Sequence, residues 1–509
     1  MKRVIFITLF CFLMTLKGKA QPYFNKRFDI ANKSNATISF KFYNDTFYIA
    51  TQIAETPIPS LSYKSSLLKI DLLGNVLNQK RFKNANQYYT SSLDIIKFKN
   101  SYYQCGNTGA GNQIVTSLLK FGENGDTIKT NVFGDTSYYF ITTKLVHFTK
   151  TNNQLLMFGV TDSTCGANHP GLYRPIIRVI DTNGVLIQSK TYLSGCQYRN
   201  ITGVNTSEDK GFLIGFSTTA GTWGFESRLM KLDSNLNFVW DKKIAETSSG
   251  YMGIVNNNGQ NFHVATTIVD SVWNFTYKWE RPSLTKLDLN GNIIWQKYYG
   301  VKQQDIGVTG LKKCYNGDFI MSGSRRLSGN ELKGFIIRID SLGNLKWWKD
   351  YRPNTTPLDT IADNYLYDII ELPNKDIAAV GWAGGTSLNP LQQTWLLKVD
   401  SNGCIGAGNC PPNLITGVKE NISNSLGLTA YPNPFKDELN INYTILDFEG
   451  AAQLQLIELA TGRLIDNIEV TQSFGTKQFN TQNLANGLYV LSLKQNNKPS
   501  VNLKVINIK

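Results

Sequence analysis

Acidic residues recur at one position of a short repeated sequence and are the first candidates for chemistry in this chain. The aligned positions are 51 to 60 residues apart and hold Asp71, Gly122, Asp181, Asp233, Asp288, Asp340 and Asp400. Carboxylates grouped in space could bind a metal ion or act in acid–base catalysis. Each one, however, opens a D-x-x-G-type turn, in which Asp caps backbone N–H groups and Gly accepts a positive φ. The pattern therefore predicts turn capping rather than a catalytic or metal-binding set.

The three histidines follow no metal-binding pattern. His147, His169 and His263 are not at ligand spacing from one another or from a carboxylate. The sequence contains no G-x-S-x-G, H-E-x-x-H or phosphate-loop signature. On these grounds we predict no catalytic residue, no cofactor and no metal site.

Six of the seven cysteines lie beyond the first 20 residues. Cys404 and Cys410 are close enough in sequence to close a short loop, and Cys165 and Cys196 flank one hairpin. Pairs of this kind are typical of chains in an oxidising compartment, and we predict these two disulfides. Cys105 and Cys314 lie in well-separated repeats and are expected to be free buried thiols.

The acidic turns belong to a hairpin that recurs seven times. At Lys286–Gly300 it reads KLDLNGNIIWQKYYG, which is an apolar strand, a turn and a second strand. Two further strand-like runs precede each copy, and helical periodicity is absent from the pattern. Four strands in about fifty residues are typical of a β-propeller blade, so seven copies predict seven blades. A solenoid is the alternative, but it would need distinct caps at its ends.

The N-terminus contains a match to the outer strand that the last copy of the repeat lacks. The seventh copy stops at Cys404, inside its turn, without an outer strand. Tyr23–Phe28 reads YFNKRF and matches the outer strand LNQKRF at Leu77–Phe82. We predict that this N-terminal strand completes the seventh blade and closes the ring without a long free edge.

Two copies carry D-x-x-G-N-x-x-W, at Asp288–Trp295 and Asp340–Trp347, and Trp240 occupies the same place in a third. This pattern resembles the repeats of quinoprotein-like and kelch-like propellers. In quinoprotein-like families the turn usually has one more residue. We therefore expect these Trp residues to pack between blades rather than to mark a quinone cofactor.

Residues 1–20 have the pattern of a secretory signal peptide, with Lys2 and Arg3 followed by an apolar run that is short for a membrane span. The net charge is +14, of which four charges belong to this segment. The remaining Lys and Arg are scattered, which disfavours nucleic-acid binding. We expect an exported protein without a transmembrane segment, with a cationic surface suited to acidic glycans.

The chain changes character after the repeats. Residues 406–425 are rich in Gly, Asn and Ser, a composition typical of a linker. The strand pattern of residues 426–509 predicts a small Ig-like β-sandwich. The motif elements of this last segment are Tyr431, Pro432, Asn433, Pro434, Gly462, Gly487 and Tyr489. In this order they resemble the type A C-terminal sorting domain of type IX secretion cargo from Bacteroidetes. The resemblance implies handling by the type IX secretion machinery and delivery to the cell surface or the medium.

The predicted domains are thus a signal peptide (1–20), a seven-bladed β-propeller (21–405), a linker (406–425) and a sorting domain (426–509). Long loops between the second and third strands of several blades are expected on one face of the propeller. Their aromatic residues are the candidate ligand contacts, namely Trp223, Trp273, Tyr277, Trp279 and Trp382. Exposed aromatic and amide side chains suit a polysaccharide or protein ligand.

We therefore expect a non-enzymatic binding or adhesion module. One alternative is a secreted glycan hydrolase or lyase with carboxylates in the central funnel of the propeller. A less favoured alternative is a quinoprotein-like oxidoreductase.

Overall fold

The computed structural model describes residues 23–508 apart from short segments. The segments left out are 55–62, 83–90, 111–112, 135–139, 149–150, 152, 163–164, 166–172, 194–196, 220–224, 248–250, 258, 274–276, 302–303, 327–330, 354–362, 386–390, 407–408, 414–425, 446–449 and 496–500. The described chain is all-β, as predicted, and forms two compact units. One consists mainly of residues up to Lys419 and the other mainly of Glu420–Lys509.

The described part of the first unit contains seven four-stranded antiparallel sheets, numbered here along the chain. Sheets 1 to 3 contain β2 (Asn35–Tyr43), β3 (Thr46–Ala54), β4 (Tyr63–Asp71) and β5 (Val76–Arg81); β6 (Ser91–Phe98), β7 (Ser101–Ala110), β8 (Gln113–Phe121) and β9 (Thr127–Phe133); and β10 (Phe140–His147), β11 (Gln154–Thr161), β12 (Arg174–Asp181) and β13 (Leu186–Thr191). Sheets 4 to 6 contain β14 (Tyr198–Thr206), β15 (Phe212–Thr218), β16 (Phe225–Leu232) and β17 (Phe238–Thr247); β18 (Met252–Asn256), β19 (Phe262–Trp273), β20 (Tyr277–Leu287) and β21 (Ile293–Tyr298); and β22 (Ile306–Lys313), β23 (Phe319–Arg326), β24 (Leu332–Ile339) and β25 (Leu345–Tyr351).

Sheet 7 combines the two ends of this unit. Its strands are β26 (Asn364–Glu371), β27 (Ile377–Ala383), β28 (Gln393–Val399) and the N-terminal β1 (Phe24–Phe28), and β1 pairs with β28. In the other six sheets the fourth strand follows the third directly in the chain. The N-terminal strand therefore occupies the outer position for which the seventh copy has no strand of its own.

The recurring Asp residues cap the turns that follow the third strands of the sheets. In Asp288, Oδ1 accepts hydrogen bonds from the backbone N–H of Asn290 at 2.9 Å and of Asn292 at 2.8 Å. Equivalent pairs of bonds reach Asp71, Asp181, Asp233, Asp340 and Asp400. The turn glycine Gly291 has a φ of 79°, a conformation that costs a residue with a Cβ. The turn chemistry predicted from sequence is confirmed.

The outer strand of one sheet contacts the turn of the next sheet. Lys297 on β21 donates to the carbonyl oxygen of Leu342 at 2.7 Å, and Lys190 on β13 donates to that of Leu236 at 2.8 Å. Lys26 on β1 donates in the same way to the carbonyl oxygen of Gly74, in the turn of sheet 1, at 3.0 Å. These contacts connect sheet 7 to sheet 1 by the same chemistry that connects consecutive sheets.

Two of the three Trp residues of the repeat, Trp240 and Trp347, pack between neighbouring sheets. A Cβ added at Gly291 would lie 3.0 Å from the Trp240 ring, and one added at Gly403 would lie 3.0 Å from the Trp347 ring. Trp347 is buried. This is the packing role expected for these residues.

The second unit is a sandwich of two antiparallel sheets within its described residues. One contains β29 (Leu426–Tyr431), β30 (Glu438–Ile445) and β33 (Phe474–Asn480), in that order. The other has the order β32 (Leu464–Val470), β31 (Ala452–Glu458), β34 (Gly487–Gln495) and β35 (Val501–Asn507). One core between the sheets contains Phe435, Leu439, Leu454, Tyr489 and Leu491. The model contains no helix, in its described part, that is long and apolar enough to cross a membrane.

Candidate functional site

The first strands of all seven sheets line one cavity of about 140 Å³, called here the shared cavity. Six of these strands contain a β-bulge near the middle, for example between Thr142 and Lys144 in β10 and between Leu366 and Asp368 in β26. A bulge turns the strand locally and changes the direction of the next side chain. The residues after the bulge, together with the matching residue of β18, are Ser39, Asp94, Lys144, Gly203, Gly253, Gly310 and Asp368.

Glycine at three of these positions lets the first strands approach each other. A Cβ at Gly203 would lie 2.4 Å from the carbonyl oxygen of Met252, and one at Gly253 would lie 2.5 Å from the Leu311 side chain. The matching positions are therefore crowded where sheets 4 to 6 meet. Its polar side chains come from sheets 1, 2, 3 and 7.

Five charged residues line the shared cavity: Lys41, Lys144, Lys312, Asp94 and Asp368. Lys41 forms an ion pair with Asp94 at 3.3 Å, and Lys312 lies 3.9 Å from Asp368. No ion pair or hydrogen bond joins Lys144 to a residue of the described chain. The lining consequently carries one more positive than negative charge.

Asp94 is held as an anion. Its Oδ1 accepts hydrogen bonds from Ser39 at 2.8 Å and Lys41 at 3.3 Å, and its Oδ2 accepts one from the Leu145 N–H at 3.0 Å. Burial alone would raise the pKa of Asp94, but the charges of Lys41 and Lys144 and these hydrogen bonds lower it. Asp94 thus serves as a fixed negative charge rather than a proton donor.

A row of aromatic rings lies at the end of the sheets where the first strands begin. Trp382 packs on Tyr365 at 4.5 Å between ring centroids, and Tyr365 stacks on Tyr367 at 5.8 Å. Tyr367 in turn packs edge to face on Tyr251, the residue before β18, at 6.0 Å between ring centroids. We call these four residues the aromatic row. Since Tyr367 also lines the shared cavity, the row extends from the cavity to the end of β27, where the long loop after Trp382 begins.

Charged side chains lie beside the row. Arg326 donates to Asp305 at 3.0 Å and lies 3.9 Å from Asp363. All three are at least one-third exposed. The charges of Asp363, Arg326 and Asp305 act on the Tyr365 hydroxyl, whose pKa is raised chiefly by burial. Rings with adjacent planar polar groups can contact both the apolar and the polar faces of a ligand.

The five residues predicted to contact a ligand lie in different parts of the fold. Trp382 belongs to the aromatic row, and Trp279 lies on β20 and is partly buried. Trp273 and Tyr277 are the end and start of β19 and β20, directly paired with each other. Trp223 lies outside the described residues. Tyr251, Tyr365 and Tyr367 were missed by the sequence analysis, because it considered only the loops after the second strands.

The cysteines follow the expected pattern where they are described. Cys404 and Cys410 form a disulfide. Cys165 is disulfide-bonded, and its predicted partner Cys196 lies outside the described residues. Cys105 and Cys314 are free and buried. Burial raises the pKa of the Cys314 thiol to about 12, so it is protonated and unreactive at neutral pH.

The described histidines and acidic residues do not cluster as metal ligands. His263 is buried against the Phe319 ring, 4.4 Å away, while His169 lies outside the described residues. Among the described residues, no group of three or more His, Cys, Asp or Glu side chains is arranged to hold a metal ion.

The motif residues of the second unit fasten its last strand. Asn433 Oδ1 accepts a hydrogen bond from the Ile506 N–H at 2.9 Å, and its amide nitrogen donates to the carbonyl oxygen of Lys504 at 3.2 Å. The next residues continue this pairing, since the Phe435 N–H donates to the Ile506 carbonyl oxygen at 2.8 Å. The Tyr431–Pro432–Asn433–Pro434 segment is therefore bound to β35.

The other motif residues shape turns and the core. Gly462 has a φ of 71° and closes the turn between β31 and β32. Tyr489 is buried, and its hydroxyl donates to the carbonyl oxygen of Ala485 at 2.8 Å. Gly487 begins β34, where a Cβ would meet nothing within 4 Å. Packing in this structure therefore does not require glycine at this position.

Residues 429–509 match a family model described as a secretion system C-terminal sorting domain. The resemblance seen in the sequence is confirmed, and this domain marks the chain for type IX export to the cell surface or the medium. The match covers the last part of the chain. No curated protein matches the chain.

Solved structures similar to this chain include β-propeller proteins at low identity. Drosophila Semaphorin 2a is 10% identical, with 93% of this chain and 96% of that chain covered at a TM-score of 0.43. The β-propeller domain of the Trilobed protease from Pyrococcus furiosus is 10% identical, with 74% and 100% covered at 0.38. A GH43 β-xylosidase/α-arabinofuranosidase from a compost microbial metagenome is 10% identical, with 53% and 98% covered at 0.33.

Proposed function

We propose that residues 21–405 form a seven-bladed β-propeller closed by β1, that 406–425 is a linker and that 426–509 is the sorting domain. The pairing of β1 with β28 supports closure, as does the bond from Lys26 to Gly74. A further support is one core cluster that combines Phe40 and Ile49 of sheet 1 with Leu396 of sheet 7. Closure leaves no free edge on sheet 7, which protects an exported protein from edge-to-edge association.

This propeller is a surface-delivered binding module for a polysaccharide, and the aromatic row is its contact surface. The observation that carries the proposal is the continuous contact of Trp382, Tyr365, Tyr367 and Tyr251 beside exposed charged groups. Sugar rings present apolar C–H faces and hydroxyl edges, which match aromatic faces with polar neighbours. Delivery to the cell surface or the medium brings this row to external polymers.

The test uses the full chain on an array of plant, algal and microbial polysaccharides. We expect binding to one class, and a loss of about tenfold or more in affinity for Trp382→Ala and Tyr365→Ala, as for aromatic residues central to an interface. Tyr315→Ala is the matched control, because Tyr315 is 69% exposed in the turn between β22 and β23, at the opposite end of sheet 6. Equal losses in all three variants, or binding only to proteins, would overturn the proposal.

A glycan hydrolase remains the rival, and the shared cavity gives it a specific test. Asp94 and Asp368 are carboxylates that line the cavity. Glycosidases generally pair a carboxylate with a carboxylic acid of raised pKa, whereas the pKa of Asp94 is lowered. Incubation of the bound polysaccharide with the full chain should release no reducing ends. Release that disappears in Asp368→Asn would favour the hydrolase.

A further inference from the structure

The lysines of the shared cavity have unequal partners. Lys41 shares Asp94 with Ser39 and the Leu145 N–H, so the acceptor atoms of that carboxylate are already engaged. Lys312 has Asp368 nearby at 3.9 Å. Lys144 follows the bulge in β10 and lines the same cavity, without an ion pair to any described residue.

The surplus positive charge is electrostatically unfavourable in this position, because the ammonium groups repel one another. The Lys41 and Lys312 side chains are 32% and 46% exposed, so solvent screens part of the repulsion, but the protein around the cavity screens it less than bulk water would. The pKa of Lys312 reflects this crowding: Asp368 raises it, but burial and the charges of Lys41 and Lys144 lower it overall. A negative charge beside Lys144 would relieve the repulsion among the three ammonium groups.

The dimensions of the cavity limit what can supply that charge. Its volume of about 140 Å³ has room for an ion of a few atoms with water, since about 10–15 Å³ of space for the centre of a water molecule is enough to hold one water. The excess of one charge matches a monovalent ion.

We propose that the shared cavity contains an anion-binding site centred on Lys144, for one small monovalent anion such as a halide or a carboxylate group. The carboxylate is either free or carried by a ligand, since Tyr367 belongs both to the cavity lining and to the aromatic row. The site exists whether or not the aromatic row binds a polysaccharide.

Chloride is the first probe, measured on the full chain by the line width of the ³⁵Cl resonance. We expect excess broadening that acetate reverses, and a loss of about tenfold or more in chloride affinity in Lys144→Gln, as for a lost hydrogen bond to a charged group. Lys129→Gln removes the same charge from an exposed position on β9 and should behave as wild type. Equal broadening in Lys144→Gln and wild type would overturn the site.

A second variant tests the charge argument in the opposite direction. Asp368→Asn raises the surplus from one to two charges and should tighten chloride binding. Unchanged or weaker binding, with a native near-ultraviolet circular dichroism spectrum, would contradict the proposal. This result does not depend on whether Lys144→Gln folds.

Competition experiments distinguish a free anion from a carboxylate group carried by a ligand. Acetate and an oligogalacturonate are each titrated against chloride, with a neutral oligosaccharide of the same length as control. Displacement by acetate alone identifies a site for free anions. Tighter displacement by oligogalacturonate, lost in Tyr365→Ala, identifies a carboxylate carried by the ligand of the aromatic row. Displacement by neither would overturn the site.

Discussion

Asp288 shows how a residue suited to catalysis can serve structure alone. Its carboxylate accepts bonds from Asn290 and Asn292, and Oδ2 also accepts one from the Asn292 side chain at 2.9 Å. Asp residues in the other turns make the same backbone contacts. Each carboxylate therefore recurs because its own turn needs it, and not because the carboxylates form one shared site. The repeated spacing was sufficient to predict this role, because the turn needs both an acceptor and a residue with positive φ.

Replacement of Asp288 should therefore lower stability and leave binding unchanged. We expect Asp288→Ala to reduce the free energy of unfolding by about 1–2 kcal/mol, because backbone donors lose their acceptor. Urea denaturation measures the loss. Leu289→Ala is the control, since Leu289 is exposed in the same turn. A comparable effect of Leu289→Ala, or a weaker polysaccharide affinity in Asp288→Ala, would contradict the capping role.

His263 gives the protein a dependence on acid that can be assigned to one residue. Burial, followed by the charges of Lys286 and Lys313, lowers its pKa to about 3. The unfolded chain, with a His pKa of about 6.5, binds the extra proton between these values. The contribution of neutral His263 to the free energy of unfolding is therefore fully present above pH 6.5. It decreases as the pH falls toward 3, by at most about 1.4 kcal/mol per pH unit.

The substitution His263→Phe should remove this contribution and keep the ring contact with Phe319. Unfolding free energies measured in urea between pH 7 and pH 4 should then decline less steeply than in wild type. Tyr315→Phe, at an exposed position, should follow the wild-type curve. Parallel curves for wild type and His263→Phe would show that this histidine does not titrate as inferred.

Among the elements, β1 is the strand on which the proposed closure of the propeller depends. Asn25 of β1 accepts a hydrogen bond from the buried Trp395 Nε1 at 2.6 Å and donates to the Arg352 carbonyl oxygen at 2.6 Å. It thus joins sheet 7 to the end of sheet 6. The match between Tyr23–Phe28 and the outer strands predicted the position of this strand, but not that Asn25 would hold it.

We expect Asn25→Ala to lower the free energy of unfolding by about 1–3 kcal/mol, because the buried Trp395 N–H loses its acceptor. Asn78→Ala is the matched control: Asn78 lies on the outer strand β5 and donates to the Asn124 carbonyl oxygen from an exposed position. Asn78→Ala should lower the free energy of unfolding by less than Asn25→Ala. If thermal melting showed equal shifts for both variants, β1 would not have the special role that closure assigns to it.

In the molecule as a whole, the regular parts of the repeat are those that the sequence predicts best. Strand patterns and turns are repeated seven times, so each copy supports the others. Matching positions along the first strands, in contrast, hold residues as different as Asp94, Lys144 and Gly310. Only the register with the second strands brings them together, and a bulge shifts that register in most sheets. The shared cavity could therefore not be seen as a motif.

The division into two units predicts that delivery and binding can be separated. Residues 429–509 match a sorting domain, while the aromatic row and the shared cavity belong to the first unit. A reporter with the signal peptide of this chain and residues 420–509 at its C-terminus should reach the surface or medium of a bacterium with type IX secretion.

The same reporter with Asn433→Ala tests how the domain works. Loss of the bonds from Asn433 to Ile506 and Lys504 should loosen β35 and lower the exported fraction, measured by immunoblot of cell and medium fractions. Asn502→Ala is the control, because Asn502 lies exposed on the same strand. Export that is equal in both variants would mean that recognition does not require the fixed last strand. Export of a reporter without residues 420–509 would place the sorting information elsewhere.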